Sequence, residues 1–120
     1  MPIVSKNDED ILLPAVRDLL LKCTKHKTMY GREIVKWCNE NLELEANLTE
    51  AKLRNIINKL RQQELPVLAN SQGYWISWDV EEITEVIISL LNRASAINLA
   101  KTGLVNCLNQ IQIQKKLNNP

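Results

Sequence analysis

The chain has 120 residues, room for one domain and little more. Apolar residues make up 45% and charged residues 24%, the balance of a globular fold rather than of a disordered tail, and 15 Lys plus Arg against 14 Asp plus Glu leave a net charge of +1. Unbroken apolar runs reach only three or four residues, against the roughly 20 of a membrane span, so no membrane partner is expected.

Met1 to Lys6 has no basic stretch leading into an apolar core, and the three cysteines (Cys23, Cys38, Cys107) are odd in number without a CxxC pair. The expectation is a cytoplasmic protein with reduced thiols, Cys23 and Cys38 being read as core-facing helix residues. Catalytic chemistry is poorly supplied. His26 is the single histidine, and Gly31, Gly73 and Gly103 lie too far apart for a phosphate loop. Cys23, His26 and Cys38 lack the second tight pair of a structural zinc site, so no metal and no cofactor is expected. No nucleophile–base–orienter set is present, and the chain reads as a non-enzyme. Asp8, Glu9 and Asp10 read as a solvated first turn that complements a helix dipole.

In chain order, residues 1–11 read as an N-terminal arm. Leu12, Leu13, Val16, Leu19, Leu20 and Cys23 recur at steps of three and four, which predicts a first helix over 12–24 with Pro14 in its opening turn. After a basic stretch and a turn at Met29-Tyr30-Gly31, a second helix runs to Asn41 with Ile34, Val35, Trp37 and Cys38 inward. Thr49 is the N-cap candidate of a third helix to about Gln63, with Leu53, Ile56, Ile57 and Leu60 inward; Pro66 ends it. Two β-prone runs, Val67-Leu68-Ala69 and Tyr74 to Trp78, flank the turn formers Asn70-Ser71-Gln72-Gly73 and predict a hairpin. Its aromatics are expected to pack the sheet on helices 1 and 3. Asp79 and Glu82 have capping-box spacing at the head of a last helix.

The stretch GREIVKWCNE followed by LTEAKLRNIINKLRQQELPVLANSQGYWIS resembles the winged helix-turn-helix modules of bacterial and phage regulators. The resemblance rests on Leu60-Arg61 at the end of the third helix, Pro66-Val67-Leu68 as an apolar strand, and Gly73-Tyr74 opening the second wing strand. Glu64 stands where that family commonly has Gly, which leaves the turn into the wing looser than the family pattern. The resemblance covers residues 28 to about 95. It implies a mainly α fold with a small β-hairpin, a winged-helix domain over 12–95, and a long C-terminal helix whose residues 96–120 extend beyond it.

On that fold the third helix would lie in the major groove of DNA. At about 100° per residue, Ala51, Asn55, Asn58 and Gln62 oppose the apolar face, with Lys52 and Lys59 on one edge and Arg54 and Arg61 on the other. Amides pair bidentately with adenine edges and cations suit phosphates. Thr49, at the helix start, joins these candidate DNA contacts. Arg32 and Lys36 are expected on the backbone from the second helix, ahead of Lys25 and Lys27. Asn70, Ser71 and Gln72, within the 69–75 wing, are expected on the adjacent backbone.

The net +1 hides opposed blocks. Residues 17–36 carry six basic and two acidic groups, and residues 49–61 four and one, whereas 37–48 and 79–85 are acidic. The last helix repeats Ile83, Ile87, Leu90, Ala94, Ile97, Leu104, Leu108 and Ile111 at alternating steps of four and three, with Lys101 as the polar interruption. The part to about Ala94 is expected on the domain's own core and the remainder in a homodimer on double-stranded DNA. The reading that follows is a sequence-specific DNA-binding protein, a transcription or replication regulator of phage or mobile-element type. The alternative is a winged-helix adaptor that binds protein and no DNA.

Overall fold

Helix α1 (Lys6–Leu21) starts six residues before the expected position, so most of the segment read as an arm is helical. Ser5 sets the start, its hydroxyl accepting from the Asp8 N–H at 3.1 Å. Pro14 is therefore the ninth helical residue rather than a first-turn one. An interior proline costs about 3 kcal/mol, offset here by burial of Leu12, Val16 and Leu20 on one stripe. Of the acidic cluster, Asp8 and Glu9 lie in the first turn as expected and Asp10 is solvated, but Asp8 is not. Asp8 is only 3% exposed, and its carboxylate accepts from the backbone N–H groups of Glu45 (2.7 Å) and Ala46 (3.1 Å) in the loop before helix 3. Residues 3–118 are described in this computed structural model.

Cys23 lies beyond the end of α1, buried all the same, and α2 (Gly31–Asn41) has the expected bounds. The Glu33 carboxylate accepts from the Tyr30 N–H at 3.0 Å, satisfying a first-turn donor. Ile34 and Cys38 are buried, but Trp37, expected inward, is 38% exposed. Asn39 ties the loop that follows by a two-way amide clasp with the backbone of Leu48, at 3.0 and 2.8 Å. Thr49 caps α3 (Glu50–Gln62), accepting from the Lys52 N–H at 3.2 Å. Leu53, Ile56, Ile57 and Leu60 all face the core.

The turn out of α3 keeps the geometry that the resemblance assigns to glycine. Glu64 takes a left-handed φ of 68°. Its N–H donates to the Arg61 carbonyl (3.0 Å) and the Leu65 N–H to Leu60 (3.1 Å), the two bonds of a Schellman cap. The glutamate carries the strain of that conformation instead of loosening the turn. Strand β1 (Val67–Asn70) then pairs antiparallel with β2 (Gly73–Ile76), from Val67 opposite Ile76 to Asn70 opposite Gly73. The connection is a two-residue turn, in which Asn70 Oδ1 accepts from the Gln72 N–H at 2.7 Å.

Met29 adds a rung on the free side of β2, exchanging both backbone bonds with Tyr74 at 3.0 and 2.7 Å. This approach explains Gly73, whose φ is +119° and where a Cβ would sit 2.5 Å from the Met29 carbonyl oxygen. Trp75 is buried and Tyr74 packs on the core. The strand stops at Ile76, however, and Trp78, expected on the sheet, is 72% exposed.

Asp79 Oδ2 accepts from the Glu82 N–H at 3.1 Å and opens α4 (Val80–Asn118). Glu82 does not close the capping box, for its carboxylate accepts from Ser77 Oγ at 2.5 Å and the Asp79 N–H donates to Ser77 instead. Gly103 does not interrupt the helix, which is continuous for 39 residues. The chain divides into one compact unit up to Ile83 and a second from Thr84 onward. The expected boundary near 95 is thus displaced, and no residue of α4 is buried, including those expected to reach the core up to Ala94. Helix α4 is also long and apolar enough, by length and composition alone, to cross a membrane. Scattered Ser, Asn, Arg, Lys and Gln break the apolar runs within it, which is why run length missed this property.

Two substitutions test the backbone reading. Gly73→Ala is expected to destabilise the first unit by about 3 kcal/mol through strain and the clash with Met29. Glu64→Gly should stabilise it by about 1 kcal/mol. Urea midpoints of the full chain, followed by tryptophan fluorescence, would measure both, and equal midpoints would contradict the assignment.

Candidate nucleic-acid interface

The four sides of α3 meet different surroundings. Its apolar side closes on Leu12, Val16, Ile34, Cys38, Leu48 and Val67 in one core. The Arg54 edge faces the hairpin: Arg54 lines a cleft of about 180 Å³ with Asn70 and Ser71 at the turn and with Tyr30 and Gly31 at the head of α2. The opposite edge and the amide face adjoin the segment before α1. There Asn55, Asn58, Lys59 and Gln62 line a groove of about 400 Å³ together with Ile3 and Val4. Asn58 and Gln62 are exposed and Asn55 is half-buried.

The cations around this helix are not equivalent. Arg61 is half-buried, and its Nε donates to the Val67 carbonyl at 2.8 Å, holding the strand to the helix. Lys59 forms an ion pair with Glu9 of α1. Lys52 donates to the Asn47 carbonyl at 3.2 Å. Arg54 is exposed, and the acid Glu50 also lines its cleft, 3.3 Å from where a Cβ on Gly31 would lie. So the basic face expected over residues 49–61 is partly engaged within the chain.

Arg32 stacks its guanidinium over the Tyr30 ring, 4.4 Å from the centroid, a cation–π contact that places it beside the Arg54 cleft. Lys36 sits one turn further along α2, 4.0 Å from Glu40, both side chains exposed. Lys25 is held 3.6 Å from Glu82. At the hairpin tip, Ser71 and Gln72 are exposed, and the Gln72 carbonyl accepts from Thr28 Oγ1 at 2.5 Å. Thr49 is exposed but its hydroxyl is occupied as the α3 cap.

The geometry therefore gathers Arg54, Asn70, Ser71 and, beside them, Arg32. It sets Asn55, Asn58, Lys59 and Gln62 on a second surface, and it leaves Lys36 with its own acidic partner. Comparison of the chain with family models, curated proteins and solved structures finds no match.

Sequence reasoning missed four contributors: Tyr30, Glu9, Ile3 and Val4. Glu9 is separated from Lys59 by 50 positions, and nothing in either local pattern links them. Tyr30 carried a readable signal, an aromatic two residues before Arg32 at a helix entry. Among the described residues no three His, Cys, Asp or Glu side chains gather as a metal site. Burial pushes the Cys38 thiol up to about 11 and raises Cys23 as well, where Lys27 opposes the shift in part.

Those shifts have a readable consequence. Near pH 8 a thiol reagent should modify exposed Cys107 and spare Cys23 and Cys38 until the first unit unfolds. Because the folded-state values lie above the unfolded ones, the protection from unfolding that these thiols contribute is complete below pH 9 and declines as the pH rises toward 11. Mass spectrometry after timed alkylation, with and without urea, would show it; early modification of Cys38 would contradict the burial.

Proposed function

We propose that the chain is a winged helix-turn-helix protein that reads double-stranded DNA with α3 in the major groove and the hairpin as its wing on the adjacent backbone. Two copies joined through α4 would read a pseudo-palindromic site, in the role of a transcription or replication regulator of phage or mobile-element type. The observation that carries this reading is the convergence of Arg54 with the hairpin tip and the head of α2 in one cleft, beside exposed Asn58 and Gln62 on the same helix. Arg54 and Arg32 then serve as phosphate contacts, and the amides of Asn58 and Gln62, flanked by Asn55, serve as base readers. Ser71 and Gln72 at the turn carry no charge and suit hydrogen bonds to phosphate oxygens.

Lys59 and Arg61 take lesser parts in this reading than their spacing suggests, since each already has a partner in the chain. A second reading, a protein-binding adaptor, is favoured by those engaged cations and by the exposure of Trp78 and Trp37.

Selection of bound duplexes from a random pool separates the two. On the selected site, Asn58→Ala with Gln62→Ala should weaken binding by about 10- to 100-fold while leaving random-sequence affinity unchanged. Arg54→Gln should weaken all sequences alike and flatten the plot of log K against log salt by about one. Glu9→Gln, which releases Lys59, should strengthen random-sequence binding. Absence of any enriched duplex, with the wild-type chain folded, would decide for the adaptor.

A further inference from the structure

Helix α4 presents an apolar stripe left exposed among the described residues: Ile97 is 69% and Leu104 71% exposed, and Ile87, Leu90, Leu108 and Ile111 are exposed as well. Its steps alternate four and three without a break, so in heptad notation Ile83, Leu90, Ile97, Leu104 and Ile111 are d positions. The a positions between them are Ile87, Ala94, Lys101, Leu108 and Lys115.

We infer that the occupant of this stripe is the α4 stripe of a second copy, running antiparallel in the register that sets residue 87 against residue 111. This rests on the self-association included in the reading above and adds its direction. The charge distribution carries the inference. Helix α4 begins with Glu81, Glu82 and Glu85 and has no acid afterwards; Arg93, Lys101, Lys115 and Lys116 follow. A parallel pair brings three acids beside three acids at one end and two lysines beside two at the other. It also places Lys101 against Lys101 and Lys115 against Lys115 within the seam, since a faces a in parallel pairs.

The antiparallel pair removes each of these conflicts, because it lays the acidic end of one helix along the basic end of the other. Each a residue then faces a d residue. Ile87 meets Ile111, Ala94 meets Leu104, and Leu108 meets Leu90, all apolar pairs across the seam. Lys101 meets Ile97 rather than its own copy and can extend its ammonium outward over the apolar stem. Lys115 meets Ile83, beside the acids of the first turns. The flanking residues agree: Leu91 faces Val105, and Asn98 faces Asn98, where two amides can exchange hydrogen bonds.

A lipid bilayer is the competing cover for an apolar helix of this length. Arg93 lies in the middle of the most apolar stretch, where a charge costs about 2.5–3.5 kcal/mol, with Asn92 and Asn98 close by. Heptad spacing with d positions of Ile and Leu throughout is a demand of a helical partner, not of lipid.

The test uses the full chain without DNA, in a Cys107→Ser background. Chains carrying Leu90→Cys and chains carrying Leu108→Cys are refolded together in a glutathione buffer, and each is also refolded alone. The expected result is a covalent dimer from the mixture and little from either alone. Efficient self-cross-linking of Leu90→Cys alone would establish a parallel pair and overturn the direction while leaving self-association standing. The wild-type chain, kept reduced, should sediment as a dimer at micromolar concentration. Lys115→Glu with Lys116→Glu should raise the dimer dissociation constant about tenfold or more at low salt, an effect that fades at high salt. A monomeric wild-type mass, or flotation with zwitterionic phosphatidylcholine vesicles, would overturn the inference altogether. DNA binding by that monomer would show that the DNA reading survives independently.

Discussion

One backbone contact, the rung between Met29 and Tyr74, orders the hairpin side of the first unit. It joins the segment before α2 to the hairpin that follows α3, so elements separated by more than 40 positions share one sheet edge. The contact requires a residue without a side chain next to Tyr74, and Gly73 supplies it. Once the rung is made, Tyr30 and Gly31 are held opposite Asn70 and Ser71, with Arg54 between them. The Thr28 hydroxyl bond to Gln72 pins the turn from the same side. The cleft exists because three short segments are fixed to one another by backbone geometry, with the buried Leu53 of α3 among its lining residues.

What could be read from sequence follows the range of the forces involved. The bounds of α2 and α3, the Thr49 cap and the hairpin all depend on neighbours within five residues, and each was legible. The start of α1 was not, because Pro14 suggested a first turn and the true cap, Ser5, lies ahead of any apolar periodicity. Asp8 was misread for the opposite reason. It looks like an ordinary first-turn acid, yet its partners are backbone N–H groups 37 and 38 positions away. Trp37 was expected inside from helical spacing and Trp78 from strand alternation with Tyr74 and Ile76; Trp37 is 38% exposed, and β2 ends at Ile76, so the alternation does not reach Trp78.

The candidate interface was only half legible. Its polar face could be drawn on a helical wheel from residues 50–62, and the exposure of Asn58 and Gln62 agrees with that drawing. The assignment of cations could not be drawn that way. Whether Lys59 or Arg61 faces outward depends on Glu9 and on the Val67 carbonyl, which only the folded chain brings near. Glu64 illustrates the same limit in the backbone. Its identity suggested a relaxed turn, but the two hydrogen bonds of the cap and burial of Leu65 after it hold the residue left-handed.

These engaged charges bear on how the proposed DNA reading would have to work. Each phosphate contact adds about 0.9 to the salt slope, so a module that commits Lys59 and Arg61 internally draws modest affinity from the backbone alone. Sequence readout and a second copy must then supply the rest. Linking two weak modules raises overall affinity only where both can engage at once. If two copies pair as proposed, the direction of α4 would bear on DNA reading as well as on assembly: an antiparallel seam sends the two helix starts to opposite ends. In that register Ile83 lies beside Lys115 of the second copy, so along the 32 residues between them that separation is about 48 Å at 1.5 Å per residue, longer than the 34–36 Å of one turn of DNA.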